Sequence, residues 1–299
     1  MNTNETKKRS VSTSAVVRIV IWSVVLCLLT GFFVGGMMKE GFGGFFTGLH
    51  IGGYSYDDKG FSVGNGTARE NITELSIDWL EGSVTVRATE GDEIVITEDY
   101  DGEKGSHRLR WKIEDGELTI KYCKPRRWGS FDIESKNLIV EIPGAMLEVL
   151  RDAEIIAVDC DVTYEGNADE LSLDMVDGDV SIHGNVGELS VHAAQAQVTY
   201  KGAVRSAEMD CVAADVSMYL DMAAELEFDQ VDGDVVLYLS SEIGGFSAEI
   251  DSLAGDLEVN GFEDVTYPDS KMARRGDGSL RIDVSGVNSK LKIEILIEN

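Results

Sequence analysis

Carboxylates recur along this sequence at a fixed step. Asp179 and Asp234 close Asp-Gly-Asp corners, Asp256 follows a glycine, and Asp161 and Asp215 hold the same place in neighbouring segments. Brought together, Asp179, Asp215, Asp234 and Asp256 with nearby carbonyls would offer Ca²⁺ the all-oxygen ligand set it takes. The alternative is that each carboxylate accepts a backbone N–H at its own corner and otherwise faces water. Gln197 interrupts the row and the G-G-x-G-x-D nonapeptide of calcium-binding repeats is absent, which favours the second reading. A different chemistry is offered by Lys124, Arg126, Arg127 and Trp128. Arginine beside tryptophan can grip anionic lipid headgroups or a phosphate-containing wall polymer, whereas the plainer reading is a solvated loop offsetting its acidic surroundings. Lys271, Arg274 and Arg275 form a smaller basic group. His183 and His192 have no third ligand at a metal-site spacing and read as outward strand residues. Acids that return at one place in every copy are what a fold requirement produces, whereas an active site is a single irregular cluster. The chain is therefore expected to be non-catalytic.

The elements that must hold these residues follow from a repeat. LSLDMVDGDVSI from Leu171 and LEFDQVDGDVVL from Leu226 share a frame whose copies begin at Leu75, Ala153, Leu171, Leu189, Ala207, Leu226, Ala248 and Ile282. Four successive intervals are 18, 18, 18 and 19 residues. Counting the first residue as zero, positions two, five, nine and eleven are apolar in every copy, and position seven is always small. A step of two on each side of a corner marks strands with one buried face, where a helix would need three and four. One such unit cannot bury its apolar face alone, so copies must stack with like residues in columns. The fold class expected is all-β, a single-chain β-solenoid, with an antiparallel β-sandwich as the competing architecture. Residues 92–146 interrupt the frame with further strand candidates and read as irregular first rungs or a capping hairpin; the final strand, LKIEILIEN, reads as the opposite cap.

In the 299 residues, 54 Asp and Glu stand against 26 Lys and Arg, a net charge of −28, which argues against a nucleic-acid partner. Four cysteines without a C-x-x-C pair exclude a zinc ribbon, and whether Cys160 and Cys211 pair stays open. Residues 19–38 form an uncharged run of twenty, long enough to span a bilayer as one α-helix. Lys7, Lys8, Arg9 and Arg18 precede it, which places the N-terminus inside and the remainder outside a cytoplasmic membrane. The expected organisation is a cytoplasmic tail (1–18), a transmembrane helix (19–38), a Gly- and aromatic-rich juxtamembrane linker (39–66) and an extracytoplasmic domain (67–299).

LSIDWLEGSVTV at 75–86, LIVEIP at 138–143, the VDGDV segments at 176–180 and 231–235, and GDGSLRIDVSG at 276–286 together resemble the bacterial β-strand-repeat envelope proteins of the putative adhesin family, whose domain function is unassigned. The resemblance covers nearly all of the outer domain. It implies a right-handed solenoid on a bacterial envelope, often behind one membrane helix, and it brings no catalytic residues. The sequence departs from the pattern at Asp159-Cys160-Asp161 and Gln195-Ala196-Gln197. The functional expectation is an acidic interaction scaffold held to the lipid bilayer by its N-terminal helix, its partner another envelope protein or wall polymer. Alternatives are a sensor or regulator acting on a membrane partner and, less favoured, a polysaccharide-processing enzyme. No cofactor is implied beyond the Ca²⁺ discussed above.

Overall fold

The computed structural model describes residues 53–102, 104–127 and 133–296. The segments read as cytoplasmic tail and transmembrane helix, 1–18 and 19–38, lie outside the described residues. Among the described residues no helix is long and apolar enough to cross a membrane. The chain is all-β there apart from a single turn of helix. It runs β1 (Gly53–Tyr54), β2 (Ser62–Val63), β3 (Gly66–Ala68), β4 (Glu74–Thr89), β5 (Ile94–Glu98), β6 (Arg110–Glu114), β7 (Glu117–Lys121), β8 (Arg126–Arg127) and β9 (Lys136–Pro143). After α1 (Gly144–Leu147) come β10 (Asp152–Glu165), β11 (Ala168–His183), β12 (Val186–Met222), β13 (Glu225–Leu239), β14 (Phe246–Ser252), β15 (Leu257–Asn260), β16 (Thr266–Asp269), β17 (Met272–Arg275) and β18 (Leu280–Ile295).

The repeat is obeyed residue for residue. β10 lies parallel on β11 with Ala153 opposite Leu171 and Val162 opposite Val180. β11 lies on the first half of β12 with Leu171 opposite Leu189 and Val180 opposite Val198. The second half of β12 meets β13 with Ala207 opposite Leu226 and Val216 opposite Val235. An antiparallel sandwich is incompatible with this parallel, in-register stack. The order of copies in space departs from the order in sequence at both ends. β4 sits directly against β10, while its first half pairs with β7 and its second half with β9, so residues 92–146 form a cap on that side. At the other end β18 lies between β13 and the β14–β15 rung, and the antiparallel strands β16 and β17 close the edge. The final strand is thus an interior rung rather than the cap expected.

Columns of apolar side chains fill the interior. Ile77, Ile155, Leu173, Val191, Met209, Phe228, Val284 and Ile250 at position two are all buried, as are Val84, Val162, Val180, Val198, Val216, Val235 and Leu291 at position nine. Removing such a side chain from water is worth about 1.5–3 kcal/mol each. Position five is divided: Leu80, Val231 and Val287 are buried, whereas Val176 is 48% exposed and Leu253 67%. The alternation of two carries the buried set on through position four, where Trp79, Ala157, Met175, Ala193 and Cys211 point inward.

Position seven is small for a specific reason. Gly178 adopts φ +142°, and a Cβ built there would stand 2.1 Å from the Cys160 carbonyl oxygen of the neighbouring rung. Gly233 faces the Ala214 carbonyl in the same way. Copies with Cys160, Ala196 or Ala214 at this place have ordinary backbone angles, since Asp115 and Asp264 are the non-glycine residues with positive φ among the described residues.

Of the stretch read as a linker, residues 53–66 pack onto the cap. Tyr54 is buried and its hydroxyl accepts the Tyr122 N–H at 3.0 Å, while the Tyr56 hydroxyl donates to the Cys123 carbonyl at 2.6 Å. Large aromatic side chains gain more from this burial than a flexible linker loses in chain freedom.

Candidate functional site

The position-three residues of successive first strands form a largely charged row, broken at Ile156 and Ser285. At position three the rung-to-rung register gives Lys121, Asp78, Ile156, Asp174, His192, Asp210, Asp229, Ser285 and Asp251 in one row. Glu208, Glu227 and Asp283 run beside it at position one. Like charges at rung spacing repel, and the row shows how this is offset. Lys121 forms an ion pair with Asp78. His192 stands between two carboxylates, its Nδ1 hydrogen-bonded to Asp174 Oδ1 at 2.9 Å and its Nε2 3.8 Å from Asp210 Oδ2. The hydrogen bond to Asp174 holds the imidazole above its ordinary pKa against the opposing effect of burial. Burial raises Asp210, which His192 counters, and burial with Asp229 and Glu208 raises Glu227. His192, an outward strand residue as the sequence suggested, thus bridges two carboxylates of the acidic row.

The corner row at position eight reads Asn137, Ser83, Asp161, Asp179, Gln197, Asp215, Asp234, Lys290 and Asp256. The structure does not bring the four candidate calcium ligands together. Gln197 separates Asp179 from Asp215, and Lys290, 3.7 Å from Asp234 and on the strand paired with β15, separates Asp234 from Asp256. Among the described residues no group of three or more His, Cys, Asp or Glu side chains is placed to hold a metal ion. The carboxylates instead accept backbone N–H groups one rung along, not at their own corner: Asp161 Oδ1 from Asp179 at 3.0 Å and Asp215 Oδ1 from Asp234 at 3.1 Å. A matching row at the next corner has Asn167 accepting the Asn185 N–H at 2.8 Å and Asn185 accepting the Ala203 N–H at 3.1 Å. The Gly166-Asn167, Gly184-Asn185 and Gly202-Ala203 pairs, eighteen residues apart, are the sequence signal of that second corner.

The basic group lies on the cap and is partly engaged. β8 carries Arg126, whose Nη1 donates to His107 Nε2 at 2.7 Å, and Lys124 Nζ is 3.9 Å from Asp58. The side chains of Arg127 and Trp128 lie outside the described residues. Beneath this group Lys136 is buried against Glu98, each side chain 1% exposed, with Nζ 2.9 Å from the carboxylate and donating also to the His107 and Tyr122 carbonyls. The rings of Trp79 and Tyr122 flank the ammonium at 4.9 and 3.9 Å. Burial lowers the Lys136 pKa, against the pull of Glu98. Cys123, Cys160 and Cys211 are free and buried, so Cys160 and Cys211 do not pair, and burial pushes both of those thiols up to about 12.

These rungs, corners and cap coincide with a known family. The family described as Toastrack DUF4097 matches residues 72–218, from two residues before β4 to the second half of β12. Over residues 72–218 the chain is thus similar to the Toastrack family. The Toastrack segment therefore contains strands β5–β9 of the cap, the Asn167–Asn185 corner, and the corner row and acidic row only as far as Asp215 and Asp210. No curated protein matches the sequence. Among solved structures, a putative cell adhesion protein from Clostridium sporogenes is similar over 78% of this chain and 100% of its own, at 9% identity and a TM-score of 0.26. A putative adhesin from Bacteroides fragilis is similar over 79% of this chain and 98% of its own, at 13% identity and a TM-score of 0.38. At these scores neither likeness bears on what the Toastrack segment does.

Proposed function

We propose that the protein is a non-catalytic interaction scaffold of a bacterial envelope, a right-handed β-solenoid displayed outside the cytoplasmic membrane on a single N-terminal helix. The observation that carries this reading is the acidic face: carboxylates fixed at rung spacing by a parallel stack, with Glu208, Asp210, Glu227 and Asp229 adjacent across two rungs. A stack of this kind loses little conformational freedom when it binds, so a row of modest contacts adds up. The charge selects a cationic partner, either a basic segment of another envelope protein or an amine-bearing wall polymer.

The test is proximity labelling from the full-length protein in its own cells, compared with a variant carrying Glu208→Gln, Glu227→Gln and Asp229→Asn. The reading expects one envelope partner or wall fraction enriched by the wild type and lost from the variant. Equal recovery of every neighbour by both proteins would overturn it, as would turnover of a wall polymer by the purified chain.

A further inference from the structure

The charge of the described residues is divided along the stack. Residues 152–296 hold 31 Asp and Glu against 8 Lys and Arg, whereas residues 104–127 of the cap hold 8 Lys and Arg against 3 acids. Two segments of the cap bring part of this positive charge to one place. The Lys124 N–H donates to the Ser106 carbonyl at 3.1 Å and the His107 N–H to the Lys104 carbonyl at 2.9 Å, so the turn carrying Lys104 lies beside the segment carrying Lys124 and Arg126. His107, buried between them, accepts from Arg126 and meets Glu134 at 3.3 Å through Nδ1. Its pKa is held below the ordinary value by burial, with Arg126 and Lys104 adding to the effect. Lys104 and Lys124 are exposed, with Asp58 3.9 Å from Lys124 as its acidic neighbour. Arg108 lies beside Gly64, and next to that glycine Val63 is 55% exposed on β2, the outermost strand of this end.

Where the chain enters this cap is fixed by pairing. β1 is antiparallel to β8, with Tyr54 opposite Arg126, so the first described strand lies against the basic one. The apolar run read as the membrane helix ends at residue 38, and fourteen residues lie between it and Gly53. Fourteen residues reach at most about 50 Å, so a membrane anchor at that run would keep this end of the chain near the bilayer.

We propose that this basic patch of the cap, centred on Lys104, Lys124 and Arg126, docks on the anionic phospholipid headgroups beside the chain's own membrane helix. The acidic rungs are repelled by the same surface, so the docked arrangement points the acidic face away from the lipid and toward a partner. This rests on the membrane-anchor reading given above.

The experiment compares hydrogen exchange of the full-length chain in nanodiscs of phosphatidylcholine with that in discs containing phosphatidylglycerol. Segments 104–108 and 122–126 are expected to gain protection in the anionic discs alone and to lose it at high salt. Each exposed lysine near an anionic surface shifts the docked-to-free ratio about fivefold. The variant Lys104→Gln with Lys124→Gln should therefore lower it about 25-fold, while the exchange of β11 and β12 stays that of the wild type. Incorporation into both discs with equal protection overturns the docking and leaves the anchor standing. Failure of the chain to enter either disc overturns anchor and docking together.

Discussion

Replacing Gly178 by alanine tests the stacking argument at its tightest point. The residue sits at φ +142°, a region that costs an L side chain about 1–2 kcal/mol. The added methyl would lie 2.1 Å from the Cys160 carbonyl oxygen, over an ångström inside an ordinary contact, and backbone cannot swing away as a side chain can. The β10 and β11 rungs must part at that corner, weakening one or two ladder hydrogen bonds of about 1 kcal/mol each. The total is a loss of about 3 kcal/mol, which for a domain of this size is a drop of roughly 6–12 °C in Tm. Ala196→Gly, at the same place one rung on, is the control. It should cost only about 0.5–1 kcal/mol, the conformational entropy of glycine in a strand. Urea unfolding of the full-length protein, followed by circular dichroism, measures both. A glycine replaced where its conformation is ordinary stabilises by about 0.4–1 kcal/mol. If Gly178→Ala behaved in that way, the close approach of rungs would be refuted.

Three further outcomes follow from other parts of the molecule. Because His192 is raised in the folded state, its ion-pairing contributes stability that is fully present below the unfolded pKa of about 6.5 and fades as pH rises through the folded value. Asp174→Asn should cost about 1 kcal/mol at pH 5.5 and less at pH 8, and should lower the imidazole pKa measured by NMR; an unchanged His192 titration contradicts the assignment. Lys136→Met leaves the Glu98 carboxylate buried without its partner and should cost about 3–5 kcal/mol. Adding Glu98→Gln should recover much of that loss in denaturant midpoint, and no recovery would mean that packing rather than charge dominates there. Cys160 and Cys211 should resist a thiol reagent at pH 8 in the folded protein and react fully in urea, since burial holds both as thiols. Rapid native labelling would contradict their burial.

What the sequence made legible was whatever repeats. Val180, Val216 and Val235 are buried in columns because a two-residue alternation repeated every eighteen residues leaves the chain no other way to hide them. Position five misled only in some copies: Val176 and Leu253 are apolar by type yet exposed, whereas Leu80, Val231 and Val287 at the same place are buried, and residue type alone does not record how each corner turns. The spatial order of the last copies was invisible for another reason. Frame and composition of the segment from Ile282 are those of any rung, and its place beside β13 is decided by which edge is open when it arrives. In the candidate site, the acidic row at position three could be counted from the text, whereas the bridging role of His192 needed the register that sets it between Asp174 and Asp210. The basic group was visible as Lys124, Arg126 and Arg127, but its link to the turn at 104–107 joins segments twenty residues apart through no repeated pattern.

The position of β18 constrains how the molecule can be made. A ribosome or translocase delivers residues 246–275 before the strand that separates them from β13 exists, so the outer rung must wait, or pair provisionally, until the C-terminus emerges. A chain stopped after Gly278 would not be a shorter rod. It would carry an unfilled slot between two finished strand edges, open to any extended segment nearby, including the same strand donated by a second molecule.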